Sequence, residues 1–240
     1  MPQLDIVLPV YNEEHVLADS VAKLHAYLEE NEFRYTWRIV IADNASTDGT
    51  LAAGEALSGQ FEDVSVIHLP RKGRGRALRK AWLESDADAA CFMDIDLSTH
   101  LDGLLPLAKA VLEEGYDVST GSRMTKGSQI ERSIGREITS RGFIFLIKAL
   151  FLTGLSDTQC GFKAISRQAA RDLIPRIENE EWFFDTELLL LADKGGYRVK
   201  DIPIRWVEDT DTRVNVLKTI LEDLAGLLRM RLKRIPKREG

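Results

Sequence analysis

The segment Cys91–Ser98 reads CFMDIDLS and sets two carboxylates, Asp94 and Asp96, two residues apart at the end of an apolar run. In an extended chain, residues i and i+2 share a face. Two carboxylates on one face repel unless a cation lies between them or one of them holds a proton. Oxygen ligands in such a place suit Mg²⁺ or Mn²⁺, ions that usually share their shell with the phosphate oxygens of a substrate. The alternative is a solvated strand end, with Asp96 as a helix cap. The buried strand in front of the pair favours the metal.

Three other segments carry chemistry of a compatible kind. Asp43–Thr50, DNASTDGT, offers the Asp43 carboxylate to a base or ribose, while Ser46 or Thr47 caps a following helix. Turn and cap duties alone would also explain these residues. Arg71–Arg76, RKGRGR, collects cations on a glycine-rich loop that opens a helix. Glycines permit close approach, and a helix N-terminus with arginines favours phosphate. The GxxxxGK[ST] loop of nucleotide triphosphatases is absent, and a solvated basic loop is the plain alternative. Arg132, Arg136 and Arg141 either hold an anion or form a basic helix face.

The elements that position these groups follow from periodicity. Leu4–Val10, Trp37–Asp43, Val64–Leu69, Ala87–Ile95 and Asp117–Ser122 read as strands. Helices are expected over Glu13–Glu30, Thr47–Ser58, Arg74–Glu84 and Leu101–Glu114. Apolar strands alternating with helices imply an α/β fold with a mostly parallel sheet, covered on both faces. Ligands of such sheets bind beyond the carboxyl ends of the strands, and polar chemistry stands at each of those ends here. The second half is less regular. A loop over Gly121–Arg136 leads to a helix over Glu137–Leu152, and Asp157–Ser166 is partly extended. A helix within Trp182–Gly196 stops at Gly195-Gly196, Tyr197–Trp206 alternates like an edge strand, and a last helix starts near Arg213.

Composition narrows the function. The net charge of −6 argues against generalised nucleic-acid binding. Two cysteines, Cys91 and Cys160, give no disulfide framework and point to a reducing compartment. The four histidines lack zinc-ligand spacing. MPQLDIVLPV has no signal-peptide pattern, and the apolar run Gly142–Leu155 is interrupted by Lys148 and too short to span a bilayer, so no transmembrane segment is expected.

The order LPVYNEE, ADNASTDGT, RKGRG, DIDLST, GSR, DTQCGFK, WFFDTELL resembles the family 2 inverting glycosyltransferases of GT-A fold, over about residues 4–213. DTQCGFK with WFFDTELL is most similar to polyprenyl-phosphate sugar synthases of the dolichyl-phosphate glucosyltransferase branch. The resemblance implies transfer of a hexose from a nucleotide-sugar, UDP-glucose favoured, to a polyprenyl monophosphate. GDP-mannose as donor, or a soluble acceptor, is the alternative. It implies that Pro9, Tyr11, Glu13, Asp43 and Arg74 line the nucleotide pocket. Asp94 and Asp96 would hold Mg²⁺ or Mn²⁺ with the donor. Arg123, Arg136 and Ser140 would take the lipid phosphate, with Arg123 also catalytic beside Asp96 and Asp157. Asp185 and Glu187 would join Asp157 around the sugar. Where relatives often carry Gly-Ser-Lys, Asp211-Thr212-Arg213 stands, and Arg213 is the expected substitute contact to the diphosphate. Asn44 replaces a second Asp of many relatives.

A lipid acceptor requires contact with a membrane. Residues 1–212 are expected as the catalytic domain and 213–240 as an amphipathic helix with a basic tail. Leu217, Ile220, Leu221, Leu224, Leu227 and Leu228 keep helical spacing, and Arg229, Arg231, Lys233, Arg234, Lys237 and Arg238 follow. Such a helix lies on an anionic leaflet, or packs on the domain or on a second copy of the chain. The expected location is cytoplasmic, peripheral to the inner face of the membrane.

Overall fold

The computed structural model describes residues 1–31, 33–208 and 216–238. A seven-stranded sheet forms its centre. The strands in chain order are β1 (Gln3–Val10), β2 (Thr36–Asp43), β3 (Val64–His68), β4 (Ala89–Met93), β5 (Val118–Ser122), β6 (Gln129–Glu131), β7 (Phe162–Ser166), β8 (Val199–Pro203) and β9 (Arg205–Val207). The helices are α1 (Glu14–Glu30), α2 (Thr50–Gln60), α3 (Arg74–Glu84), α4 (Leu104–Leu112), α5 (Ile134–Phe151), α6 (Arg167–Leu173), α7 (Phe184–Gly195) and α8 (Val216–Leu232). The order across the sheet is β3-β2-β1-β4-β7-β5-β8, and β6 pairs with β9 in a separate ribbon. β1 pairs in parallel with β2 and β4, β2 with β3, and β5 with β8. The sheet is thus mostly parallel, with helices around it.

Strand periodicity divides the core. Leu4, Ile6 and Leu8 of β1 and Cys91 and Met93 of β4 face α1, α2 and α4. Val7, Ala90 and Phe92 face α3, α5, α6, α7 and the inner side of α8. Burial on both faces explains why these strands read as continuous apolar runs.

β7 differs from expectation and determines the site. It enters between β4 and β5 and runs antiparallel to both, with Met93 opposite Phe162 and Thr120 opposite Lys163. Its beginning therefore lies at the carboxyl ends of β4 and β5. The loop Asp157–Gly161 arrives where β4 releases Asp94 and β5 releases Arg123. A second difference concerns the carboxylate pair itself. β4 ends at Met93, not Ile95, and the Asp94 carbonyl accepts from Leu97 N at 3.2 Å in a turn with Leu97 at φ 53°. A tight turn, not an extended strand, carries Asp94 and Asp96.

Candidate active site

The site lies across the carboxyl ends of β1, β2, β4 and β5. At its β2 end, the fully buried Asp43 closes the strand; its Oδ2 meets His68 Nδ1 at 2.6 Å and its Oδ1 accepts from Ser46 N. Asn44 Oδ1 accepts from Gly73 N at 2.7 Å and ties β2 to the glycine-rich loop. A carboxamide does this as well as a carboxylate, which accounts for Asn44. Tyr11 follows β1 with Lys72 Nζ 3.4 Å from its ring centre. Pro9 is half-buried in β1, and Glu13 N donates to Thr50 Oγ1 at 2.8 Å.

In the middle, Arg74 at the start of α3 is buried. It donates to Asp94 Oδ1 at 3.1 Å and to Asp185 Oδ2, and lies over the rings of Phe92 and Trp182. Two carboxylates facing this guanidinium hold its proton more tightly than usual, although burial works the other way. Lys163 of β7 is fully buried and reaches Asp185 Oδ1 at 3.2 Å. Sequence reasoning missed it, although a lysine inside FKAIS was the visible signal. Asp94 packs directly on Gly161: a Cβ there would lie 1.7 Å from Asp94 Oδ2. Burial, with Asp96 and Asp185 nearby, raises the Asp94 carboxyl against the pull of Arg74, even though 44% of its side chain is exposed. Asp96 is exposed, and its Oδ1 accepts from Ser98 N at 2.9 Å. No basic side chain pairs with Asp96 among the described residues.

On the far side, Arg123 and Asp157 form a two-bond clamp, Nε to Oδ2 at 2.7 Å and Nη2 to Oδ1 at 3.0 Å, with Arg123 N adding a third bond. Burial alone would push the Asp157 carboxyl up; Arg123 overcomes it and holds it below the usual carboxylate range. Arg123 also lies over Trp206. Ser140 is half-buried on α5. The Arg136 side chain and all of Arg213 fall outside the described parts of the structure. The structure thus brings Asp43, Arg74, Asp94, Asp96, Arg123, Asp157 and Asp185 to one end of the sheet.

Glu187, expected among the nucleotide-sugar contacts, stands apart from the other carboxylates in its partners. It is fully buried on α7, accepts from Glu178 N and Asn179 N at 3.1 and 3.0 Å, and pairs with Arg229 of α8. Its oxygens are occupied in joining a loop and a helix.

The donor set suits a hard divalent ion. Asp94 and Asp96 offer oxygen ligands from one turn, and Asp96 brings a negative charge that no described basic residue balances.

Comparison with known proteins agrees with this geometry. Residues 5–174 match glycosyl transferase family 2. The chain is 32% identical over 232 residues to the glycosyltransferase AglD of Haloferax volcanii, covering 95% of this chain and 36% of that protein. It is 30% identical to the human dolichyl-phosphate beta-glucosyltransferase, over 96% of this chain and 75% of the relative. Thus it spans about a third of the first relative's length and three quarters of the second's. Among solved structures, glucosyl-3-phosphoglycerate synthase from Mycobacterium tuberculosis in complex with UDP is similar, with TM-score 0.72 and 23% identity over 96% of this chain and 80% of that one. The same synthase in complex with Mn²⁺, UDP-glucose and phosphoglyceric acid gives TM-score 0.70 and 21% identity over 96% of this chain and 79% of that one. At that identity the likeness establishes the fold, GT-A. With its strand-end carboxylates, its inserted antiparallel strand and the match over residues 5–174, the chain belongs to glycosyl transferase family 2.

Proposed function

We propose that the chain transfers a hexose from a nucleotide-sugar, UDP-glucose by preference, to a polyprenyl monophosphate with inversion at the sugar carbon. The observation that carries this reading is the sequence of surfaces along one end of the sheet. A carboxylate turn stands beside an arginine clamp, and beyond the clamp α5 leads away with an exposed apolar stripe. The names of the relatives, dolichyl-phosphate glucosyltransferases among them, point the same way.

Asp94 and Asp96 would hold Mg²⁺ or Mn²⁺, which when bound neutralises the leaving diphosphate. Arg74 supplies a second, permanent positive charge beside Asp94, already fixed by Asp185 and two aromatic rings. Asp43 and Tyr11, with Pro9 and Glu13 behind them, line the base and ribose end. Arg213 is assigned to the diphosphate. Asp185, locked between Arg74 and Lys163, orients the site around the sugar. The acceptor is a phosphate monoester with a second pKa of about 6, so its oxygen is already anionic near neutrality and needs little help from a base. It does need to be held against a second anion. Arg123, supported by Asp157, serves that end with Arg136 and Ser140 of α5.

No helix among the described residues is long and apolar enough to cross a membrane. Two neighbouring helices instead expose apolar stripes. On α5 these are Ile138 and Phe145, two turns apart, with exposed Leu152 just past the end of the helix; on α8 they are Leu221, Leu224, Leu228 and Leu232. Exposed Lys148, Arg231, Arg234 and Lys237 flank them. Apolar stripes with a basic border suit the anionic face of a bilayer, where the lipid acceptor resides, so the protein is assigned a peripheral place on the cytoplasmic leaflet. In this assignment residues 1–212 carry the chemistry and 213–240 contribute to docking.

The test uses purified protein, Mn²⁺ or Mg²⁺, a panel of UDP- and GDP-sugars, and two acceptors: a short polyprenyl phosphate and a soluble phosphorylated acid. Transfer from UDP-glucose to the polyprenyl phosphate is expected, and it should stop on chelation and in Asp96→Asn. Transfer to the soluble acid alone, or full activity in excess chelator, would overturn the reading.

A further inference from the structure

We propose that Asp223 of α8 is a positioning residue for the acceptor half of the site, acting through Gln159 on the Asp157–Arg123 clamp. The inference rests on the reading above for what the clamp holds. It makes α8 part of the catalytic apparatus as well as a docking surface.

α8 touches both segments that build the site. Gly226 packs on Phe183 so closely that an added Cβ would lie 2.4 Å from the ring, and Arg229 pairs with Glu187. These contacts grip the start of α7, which carries Asp185. One turn earlier, Asp223 Oδ2 accepts from Gln159 Nε2 at 2.9 Å. Gln159 N in turn donates to Asp157 Oδ1 at 3.0 Å, the same oxygen that receives Arg123 Nη2. Gln159 thus joins α8, through its side-chain amide, to the carboxylate that clamps the arginine assigned to the acceptor phosphate, through its backbone N–H.

The direction of control follows from burial. Asp223 is 5% exposed and fixed by the helix, whereas Gln159 is exposed and has a long, mobile side chain. The buried group therefore anchors the exposed one. A carboxylate is also an unfavourable choice for mere packing. The other buried residues of this face of α8 are Gly226, Leu227 and Met230. Burial, its neighbour Glu222 and Asp185 of α7 push the Asp223 carboxyl up to about 7, and the Gln159 amide opposes them. An apolar residue would avoid that cost but could not hold Gln159. The nucleotide-side residues Tyr11, Asp43 and Arg74 stand on other elements and make no bond to α8 among the described contacts.

The test compares the full chain with Asp223→Asn, Asp223→Leu and Gln159→Met. Asn keeps a carbonyl oxygen for Gln159; Leu and Met remove the bond from either side. Leu and Met should raise the KM for short polyprenyl phosphate about tenfold, with the KM for UDP-glucose within about twofold of wild type. Asn should stay near wild type. Hydrogen exchange in the substrate-free protein gives a second readout. The Gln159 amide in Asp223→Leu and the Asp157–Cys160 segment in both broken variants should exchange at least about tenfold faster, but not in Asp223→Asn. If Asp223→Leu loosens α8 itself, Gln159→Met decides, because it leaves the helix intact. Unchanged exchange and unchanged acceptor KM in Gln159→Met would overturn the proposal, as would equal losses toward both substrates. If wild type transfers nothing to polyprenyl phosphate, the substrate reading fails and the exchange data alone decide the relay.

Discussion

Gly161 lacks a side chain where Asp94 needs the room. In Gly161→Ala the new methyl group would meet the Asp94 carboxylate, which must then move. Displacement of a catalytic group by about 1 Å can cost roughly 100-fold. Gly161→Ala should therefore lose at least about 100-fold in turnover and weaken Mn²⁺ binding, measured by calorimetric titration of the donor-free protein. Wild-type Mn²⁺ affinity in this variant would contradict the assignment of Asp94. Asp223 gives a second prediction at this scale. Its pKa stands near 3.8 in the unfolded chain and at about 7 when folded. The folded state therefore keeps a proton that the unfolded state has lost, and stability falls as pH rises between those values. The fall should reach at most about 4 kcal/mol in urea unfolding and level off above pH 8. Asp223→Asn should remove this contribution, leaving that of Asp94 and Asp201, whose carboxyls burial also raises, and be the more stable protein at pH 8. The residue types at the site were largely legible, because a charged group ending an apolar strand stands out. What each one touches was not. Asp94 and Asp96 were read from an extended geometry, yet a turn carries them, and Glu187 belonged to a motif but anchors a loop. Lys163 and Gly161 acquire meaning only once β7 lies beside β4.

At the scale of elements, α8 has two apolar faces. Leu227 and Met230 enter the core beside α7, while Leu221, Leu224, Leu228 and Leu232 face outward. The basic tail is divided in the same way: Arg229 and Lys233 pair with Glu187 and Glu178, and Arg238 pairs with Asp117. Periodicity alone placed the apolar residues on a helix but could not tell which of them would be covered, since both faces use leucine. Packing and docking stood as alternatives, and the structure shows packing on one face. Arg229→Ala would leave the buried Glu187 with its two amide donors and the more distant Lys233 Nζ, 3.8 Å away. Arg229 is itself partly solvated, so the loss should be about 2 kcal/mol in urea unfolding, less than for a fully buried pair. An unchanged midpoint would mean that α8 contributes little to the fold. The βα units of the first half were read from sequence to within a few residues, because apolar runs and helical spacing alternate there without ambiguity. β7 falls within the stretch read as partly extended, but nothing in DTQCGFKAIS announces that it runs antiparallel at the centre of the sheet.

For the whole molecule, the exposed stripes of α5 and α8 predict a separation of two activities. Leu221→Asp with Leu228→Asp should release the protein from anionic vesicles in a flotation assay. Turnover of a detergent-solubilised short acceptor should remain within about threefold of wild type, because neither side chain faces the core. Wild-type flotation of this double variant would move the docking surface elsewhere. The inserted strand has a consequence of another kind, for the order in which the protein is made. β1 to β4 can pair as soon as they leave the ribosome, since each lies beside a strand already synthesised. β5 cannot join them, because its place beside β4 is reserved for β7, which is translated only after the whole of α5. Until then AACFM of β4 is an open apolar edge, the kind of edge that recruits foreign strands. Asp94 waits over the same interval without Gly161 beneath it. The nascent chain thus completes the Asp94–Asp96 turn and the Arg123–Asp157 clamp in a single late step, and a chain stalled before residue 162 would be prone to aggregate.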